Sequence, residues 1–460
     1  MHSPTTRITF IGGGSVQWGP RLTTDLMLTQ ALTGSQLVLY DIDTVAAQRM
    51  GRLAQRIATE VNADWDVQVQ DDLDRALNGS NFVIVSIAQG GLEAMRLDLE
   101  IPWRYGIAQP VGDTVGPGGI SRALRHIPVA LDIARRMEHL CPEAWFINLT
   151  NPLSPITRAV SRETRVRAIG LCHEVAGVLE DLAHLFKVEQ PSTISARVAG
   201  VNHLPWILQM RVDGRDGFEL LRQWLDTHGP FYFVETIPQV STVESVFHDR
   251  MAVKFLLFQT YGCLAGASDR HVAEFFPVFL SAESDYGHAY GVELTTVEHR
   301  YELLERRQQL VAQQIAQSEP LELRSSKEQL AGVIAALAAG QPGHSTINIC
   351  NMGQIDNLPR GAVVECQAAL GLNGVEPLSV GSLPPGIAQT LAGRVEQQEI
   401  IVDAAVQGDP DLVLQALLAD PMVPSWKTAV ALREELLRVH AQHLPQFSHA
   451  GSAKMAARQA

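Results

Sequence analysis

Basic charge is scarce in this chain of 460 residues: 36 Lys and Arg stand against 50 Asp and Glu, a formal net charge of −14. Nucleic acid and anionic membranes both demand a basic surface, so neither is an expected partner. Cysteine is scarce too. The five present, Cys141, Cys172, Cys263, Cys350 and Cys366, are odd in number and widely spread. That excludes the disulfide framework of a small secreted domain and leaves at least one thiol unpaired, available as a metal ligand in a reducing compartment. Long apolar runs are absent. Nothing approaches the roughly 18 to 20 residues that span a bilayer, and no apolar stretch marks the segment Met1 to Thr9 as a cleavable signal. The expected location is the cytoplasm.

What the chain does have is apolar bulk. Hydrophobic residues make up 46%, enough for a sizeable core, and the length suggests two or three domain-sized units around a shared cleft. The first third alternates strand and helix patterns. Arg7 to Ile11 is a short β-rich run leading into Gly12-Gly13-Gly14-Ser15, then a stretch able to be helical from Thr23 to Leu32. Such a turn lets backbone approach a pyrophosphate, whose charge meets the free N–H groups at a helix start. Gly12, Gly14 and Ser15 are therefore candidate cofactor contacts. A second run, Leu37 to Tyr40, ends in Asp41, where a carboxylate takes the ribose hydroxyls of NAD and repels the extra phosphate of NADP. The fingerprint is incomplete, since Gln17 stands where a third glycine is expected.

The alternation continues through Val67 to Val69, a helical Asp72 to Leu77, and a strand from Asn81 to Ile87. It predicts a parallel, doubly wound sheet. A glycine-rich loop, Gly112 to Gly119, precedes an amphipathic helix from Ile120 to Met137. Ala144 to Leu149 is another buried strand, delivering Asn148 and Asn151 to its carboxyl end, where ligands bind in open α/β sheets. Val166 to Leu171 then ends in Cys172-His173-Glu174. Taken alone, Cys172 reads as a buried inert thiol and His203 as a satisfied core histidine.

Taken together, ordered motifs along most of the chain resemble glycoside hydrolase family 4. They are Ile11-Gly-Gly-Gly-Ser15, Tyr40-Asp-Ile-Asp43, Gly112-Asp-Thr-Val-Gly-Pro-Gly-Gly-Ile120, Asn148-Leu-Thr-Asn-Pro152, Cys172-His-Glu-Val175, Gly200-Val-Asn-His203, Asp269-Arg-His271 with Glu274-Phe275, and Asn357-Leu-Pro359 with Val363-Val-Glu365. The resemblance implies an N-terminal Rossmann-type doubly wound domain, like that of lactate and malate dehydrogenases, and a mainly helical α+β C-terminal domain. It also implies NAD as cofactor and Cys172 with His203 as ligands of a divalent metal, manganese or a similar ion. A thiolate, an imidazole and substrate oxygens make a mixed site with open positions for a sugar.

The family is an exception to hydrolysis by two carboxylates. The implied course is oxidation at sugar carbon 3 by NAD, loss of the carbon-2 proton, elimination of the aglycone, water addition and re-reduction. Matching positions carry the implied roles. Asn151 corresponds to a substrate-binding asparagine, and Asn148 is placed at the cofactor. Asp113 lies in a loop whose aspartate reaches the active site; alternatively its carboxylate stabilises the turn. His173, next to the cysteine, has the acid–base chemistry expected there. Tyr261 is the nearest tyrosine before Asp269, although Thr260-Tyr261-Gly262 does not match the family's carbon-2 base segment.

Histidine after the cysteine accompanies unphosphorylated sugars in this family, and Cys172-His-Glu-Val175 resembles the α-galacturonidase branch. Glu174 and Asp269 are expected among the substrate contacts, with Arg270 pairing the uronate carboxylate bidentately or forming a structural ion pair. His271 reads equally as a shell residue or a core histidine. The alternatives are an α-glucosidase, α-galactosidase or α-glucuronidase of the same family, a lactate/malate-type 2-hydroxyacid dehydrogenase, and an NAD-binding sensor. The expected units are 1–190 for the cofactor, 191–450 for substrate, metal and oligomerisation, and a disordered tail over 451–460. In the second unit, helices are expected at Leu294 to Gln317 and Gln329 to Ala339, with a late strand pair near Ser345 to Ile349 and Ala362 to Cys366. The expected partner is a small glycoside, and the expected assembly a homodimer or homotetramer.

Overall fold

A computed structural model describes residues 6–188, 193–237, 248–326 and 328–448. The expected tail over 451–460 lies outside them. Thirteen strands form one sheet. In chain order they are β1 (Arg7–Ile11), β2 (Gln36–Tyr40), β3 (Asp66–Gln70), β4 (Phe82–Val85), β5 (Trp145–Asn148), β6 (Arg167–Gly170), β7 (Ile194–Val201), β8 (Leu204–Val212), β9 (Arg215–Asp216), β10 (Leu264–Ala265), β11 (Gly343–Cys350), β12 (Val363–Gly371) and β13 (Gly374–Pro377).

The order β6-β5-β4-β1-β2-β3 is all parallel. Winding proceeds outward from β1 in both directions, so the switch point lies between β1 and β4, the place where such sheets bind ligands. β1, β2 and β4 are almost wholly buried, as a sheet covered by helices on both faces requires. One face carries the helix Gly116–Leu140, backed by the helix Pro385–Gln407. The other carries Leu22, Leu26, Leu53 and Ile57 together with Leu330 and Ile334 of the helix Leu330–Ala339. Each such fully buried aliphatic side chain contributes about 1.5–3 kcal/mol.

The sheet does not stop where the expected first unit ends. β11 pairs antiparallel with β6, and β12, β7, β8 and β10 follow. The second half is thus joined to the first by backbone hydrogen bonding, and it holds more strand than its helical pattern suggested. A register row crosses the junction: Asn148 opposite Gly170, Gly170 opposite Asn348, Asn348 opposite Glu365, Glu365 opposite Gly200. Two residues beyond Gly170 stands Cys172, and two beyond Gly200 stands Asn202. The row sets the end of β6 level with the end of β7, which runs the opposite way. At Gly200 a Cβ would lie 2.4 Å from the Leu204 carbonyl oxygen, so this position accepts only glycine. Among the described residues no helix is long and apolar enough to cross a membrane.

Candidate active site

The glycine turn sits at the switch point. Gly12 has φ 85°, and a Cβ there would meet the Ser86 carbonyl oxygen at 1.9 Å, so only glycine lets β1 and β4 approach this closely. Gly14 N–H donates to Asp41 Oδ2 at 2.9 Å and Asp43 N–H donates to Oδ1 at 2.9 Å. The carboxylate is therefore fixed at the end of β2 by backbone. Ser15 Oγ accepts from Trp18 N–H at 3.3 Å. Gln17, in place of the third glycine, accepts from Arg307 at 2.9 Å, which brings the helix Val297–Ile315 over the turn.

A second constellation forms where the glycine-rich loop meets the β7–β8 turn. Glu274, fully buried, accepts from Val111 N–H and Gly112 N–H at 2.8 Å each and so holds the loop in place. Burial pushes its carboxyl up to about 8. Thr114 Oγ1 donates to Asp113 Oδ1 at 2.7 Å and lies 2.7 Å from His203 Nδ1. A hydroxyl has one proton. With that proton on Asp113, Thr114 accepts from His203, so Nδ1 carries the hydrogen and Nε2 keeps its lone pair. His203 itself has φ 65° at the tip of the β7–β8 turn, a conformation uncommon outside glycine and one that aims the ring.

His271, in the helix Asp269–Phe275, lies against His203 with ring centroids 3.7 Å apart. Its Nδ1 is buried without a hydrogen-bond partner. Burial first, and then the neighbouring His203, push its pKa down to about 3, so the ring is neutral and able to ligate. One ligand atom each from Asp113, His203 and His271 fall within 4.8 Å of one another. A carboxylate and two neutral imidazoles, one with an orphaned nitrogen, fit a divalent transition ion.

Glu174 borders this group. Its Oε2 accepts from Ser268 N–H at 2.6 Å, and its Oε1 lies 4.0 Å from His271 and 3.8 Å from His173. His173 is half-exposed between Glu174 and Glu328, the latter 3.5 Å away, with the Trp18 ring 5.6 Å off. Cys172 is not one of the three clustered residues. Its thiol is pushed well above its ordinary value by burial and by the Glu365 and Glu174 carboxylates, so it holds its proton until a cation compensates. Asn151 donates to Asp113 Oδ2 at 3.2 Å, and its carbonyl accepts from Arg122 Nε at 3.0 Å.

Four expected site residues have other surroundings. Asn148 is fully buried, its amide nitrogen committed to Thr150, Leu153 and Thr157 and its oxygen to Thr150 N–H, so it shapes the turn that carries Asn151. Asp269 accepts from Val253 N–H and Lys254 N–H at 2.8 and 3.1 Å and holds the start of the helix Ala252–Tyr261. Arg270 donates to the Pro110 carbonyl at 2.9 Å and to the Thr295 hydroxyl, strapping the glycine-rich loop to the following segment. Tyr261 packs with Trp206 and Phe276, ring centroids 5.3 and 6.3 Å away; among the described residues no tyrosine hydrogen-bonds to Asp113, Glu174, His203 or His271.

Sequence reasoning passed over Thr114, Asn202 and Glu365, although each lies inside a quoted motif. Glu365 and Asn348 are fully buried on facing strands, and Asn202 is next to them. Neither Glu365 oxygen makes a well-formed hydrogen bond, and burial raises the carboxyl to about 8. A neutral acid thus underlies Cys172 and the turn bearing His203.

Residues 7–188 match the model of the family 4 glycosyl hydrolases, and residues 198–423 match that of the family 4 C-terminal domain. An α-galacturonidase of Thermoanaerobacterium saccharolyticum is 35% identical over 94% of this chain and 94% of its own length. An α-galactosidase of Bacillus subtilis is 32% identical over 96% and 99%. Among solved structures, a candidate glucosidase of Bacillus subtilis superposes with TM-score 0.87 at 33% identity, covering 94% of this chain and 100% of that one. A 6-phospho-α-glucosidase from gut microorganisms, solved with NAD and Mn2+, gives TM-score 0.81 at 21% identity over 96% and 100%. A malate dehydrogenase of Cryptosporidium parvum shares the fold at TM-score 0.51 and 12% identity, over 87% and 99%. The expected likeness to dehydrogenases is one of fold, and the chain belongs to family 4 of the glycosyl hydrolases.

Proposed function

We propose that this protein hydrolyses α-galacturonides using bound NAD and a divalent metal ion. The observation that carries this reading is the Asp113, His203 and His271 group, with its free imidazole lone pairs, on the same sheet rim as the glycine turn. Relatives named α-galacturonidase at 34–35% identity support the sugar. When bound, NAD would supply a reversible hydride acceptor for the sugar's carbon 3, and the ion would supply a Lewis acid for its oxygens.

The chain's own residues divide the remaining work. Gly12 and Gly14 leave room for close backbone approach to the dinucleotide, Ser15 would meet its phosphates, and Asp41 would accept from its ribose. His203 and Asp113 would hold the ion, oriented by Thr114, with His271 beside them and Cys172 as a further ligand once deprotonated. Asn151, tied to Asp113, orients a sugar hydroxyl. His173, half-exposed between two carboxylates, protonates the departing glycosidic oxygen. A 32% identical α-galactosidase makes the neutral sugar the second reading. Nitrophenyl α- and β-glycosides of galacturonic acid, galactose, glucuronic acid and glucose, assayed with NAD, manganese and a reductant, decide between them. Turnover of the α-galacturonide above all others is expected; preference for the α-galactoside would overturn the sugar assignment.

A further inference from the structure

Arg300, which the sequence motifs do not single out, lies in the first turn of the helix Val297–Ile315. The surrounding contacts place it. Five residues earlier, Thr295 donates through its N–H to the Pro110 carbonyl and is held by Arg270, so the segment entering the helix is fastened to the base of the glycine-rich loop. Seven residues later, on the same helix face, Arg307 reaches Gln17 beside the glycine turn. The neighbouring Glu298 and Tyr301 engage Arg96 and Glu93 on the helix Gly91–Trp103. Arg300 therefore stands between the cofactor turn and the Asp113 group.

Its guanidinium touches no carboxylate. Nε is buried with no hydrogen-bond partner, and no carboxylate among the described residues lies within 4.0 Å of Arg300. Burial, then Arg270, with Arg122 and Arg307 beyond it, bring its pKa down to about 10, against a partial offset from Asp113. The nearby acids are otherwise engaged: Asp113 with Thr114 and Asn151, Glu174 with Ser268. Arg122 and Arg270 for their part donate to carbonyls and a hydroxyl. A partly buried cation whose inner nitrogen has no partner and which no carboxylate contacts is costly, and the cost is relieved when a ligand brings the anion.

We infer that Arg300 is the receptor for an anionic group of the ligand, and that this group is the carboxylate on carbon 5 of the sugar. The assignment rests on the α-galacturonide reading and moves the carboxylate contact from Arg270, which is engaged as a strap, to Arg300. Dinucleotide phosphates offer the same chemistry, but Arg307 at Gln17 stands nearer the turn that would carry them. Arg300→Gln and Arg300→Lys, with wild type, are assayed on nitrophenyl α-galacturonide and α-galactoside, and NAD affinity is measured by calorimetry. The ratio of the two kcat/KM values is independent of how much variant folds. Arg300→Gln is expected to lower the galacturonide-to-galactoside ratio roughly 30- to 1,000-fold, with NAD affinity retained and Arg300→Lys intermediate. An unchanged ratio would overturn the assignment, and a weakened NAD affinity with unchanged ratio would give Arg300 to the cofactor phosphates instead. Failure of the α-galacturonide reading shows itself separately, in wild type that does not turn over the galacturonide, and it removes the carboxylate with it.

Discussion

Thr114 ties Asp113 to His203 in the candidate metal site, and Thr114→Val tests that role with nearly constant shape. The hydroxyl sits 2.7 Å from both Asp113 Oδ1 and His203 Nδ1. Valine removes the acceptor that keeps the hydrogen on Nδ1, leaving a buried donor unsatisfied at a cost of about 1–3 kcal/mol. The imidazole can relieve this by moving its hydrogen to Nε2, which removes the lone pair proposed to hold the ion. Loss of such an orienting partner costs roughly 10- to 100-fold in metal affinity. Mn2+ titration followed by the paramagnetic signal of the free ion reads this directly, and NAD affinity serves as the control. Thr114→Ser keeps the hydroxyl and should stay near wild type. Wild-type Mn2+ affinity in Thr114→Val would refute both the tautomer and the role of His203 Nε2.

Cys172→Ser should weaken Mn2+ on the order of 10- to 100-fold and abolish turnover while NAD still binds; full activity in that variant would remove the thiolate from the site. Asp41→Ala should weaken NAD and narrow its preference over NADP, because the carboxylate that pins Gly14 is the one proposed to take the ribose hydroxyls; an unchanged NAD-to-NADP ratio would mean that another residue sets the choice. Glu274 has its ordinary carboxyl value of 4.5 raised to about 8 in the fold, so the folded state keeps a proton that the unfolded chain releases. Its contribution is therefore full below pH 4.5 and is lost as pH rises toward 8, by an amount on the order of a few kcal/mol. Glu274→Gln, whose amide oxygen can still accept from Val111 and Gly112, should flatten that decline in a thermal-unfolding series; an identical slope in both proteins would contradict it.

What the sequence makes legible is local. Apolar runs ending in glycine or aspartate mark β1, β2 and their turn because packing and close approach are decided within a few residues. The helices expected at Leu294 to Gln317 and Gln329 to Ala339 appear as Val297–Ile315 and Leu330–Ala339, and the late strand pair as β11 and β12. The β7–β8 hairpin stands in a stretch whose pattern reads as helical, and its pairing with β12, across so much chain, leaves no local mark. Roles fared likewise. Asp269 and Arg270 stand in the right motif, but a helix start and the Pro110 carbonyl, both distant in sequence from the motif's neighbours at the metal group, decide what they do. His271 was ambiguous for the same reason: only the fold lays its ring on His203.

The proposed hydrolase needs NAD catalytically and a metal ion throughout. Galacturonate release and net NADH are measured together on an α-galacturonide, with wild-type protein stripped of both groups and then resupplied. No release is expected without either group, and with both present many turnovers per NAD and no accumulating NADH. NADH rising in step with product, or undiminished release from protein stripped of NAD and metal, would contradict it.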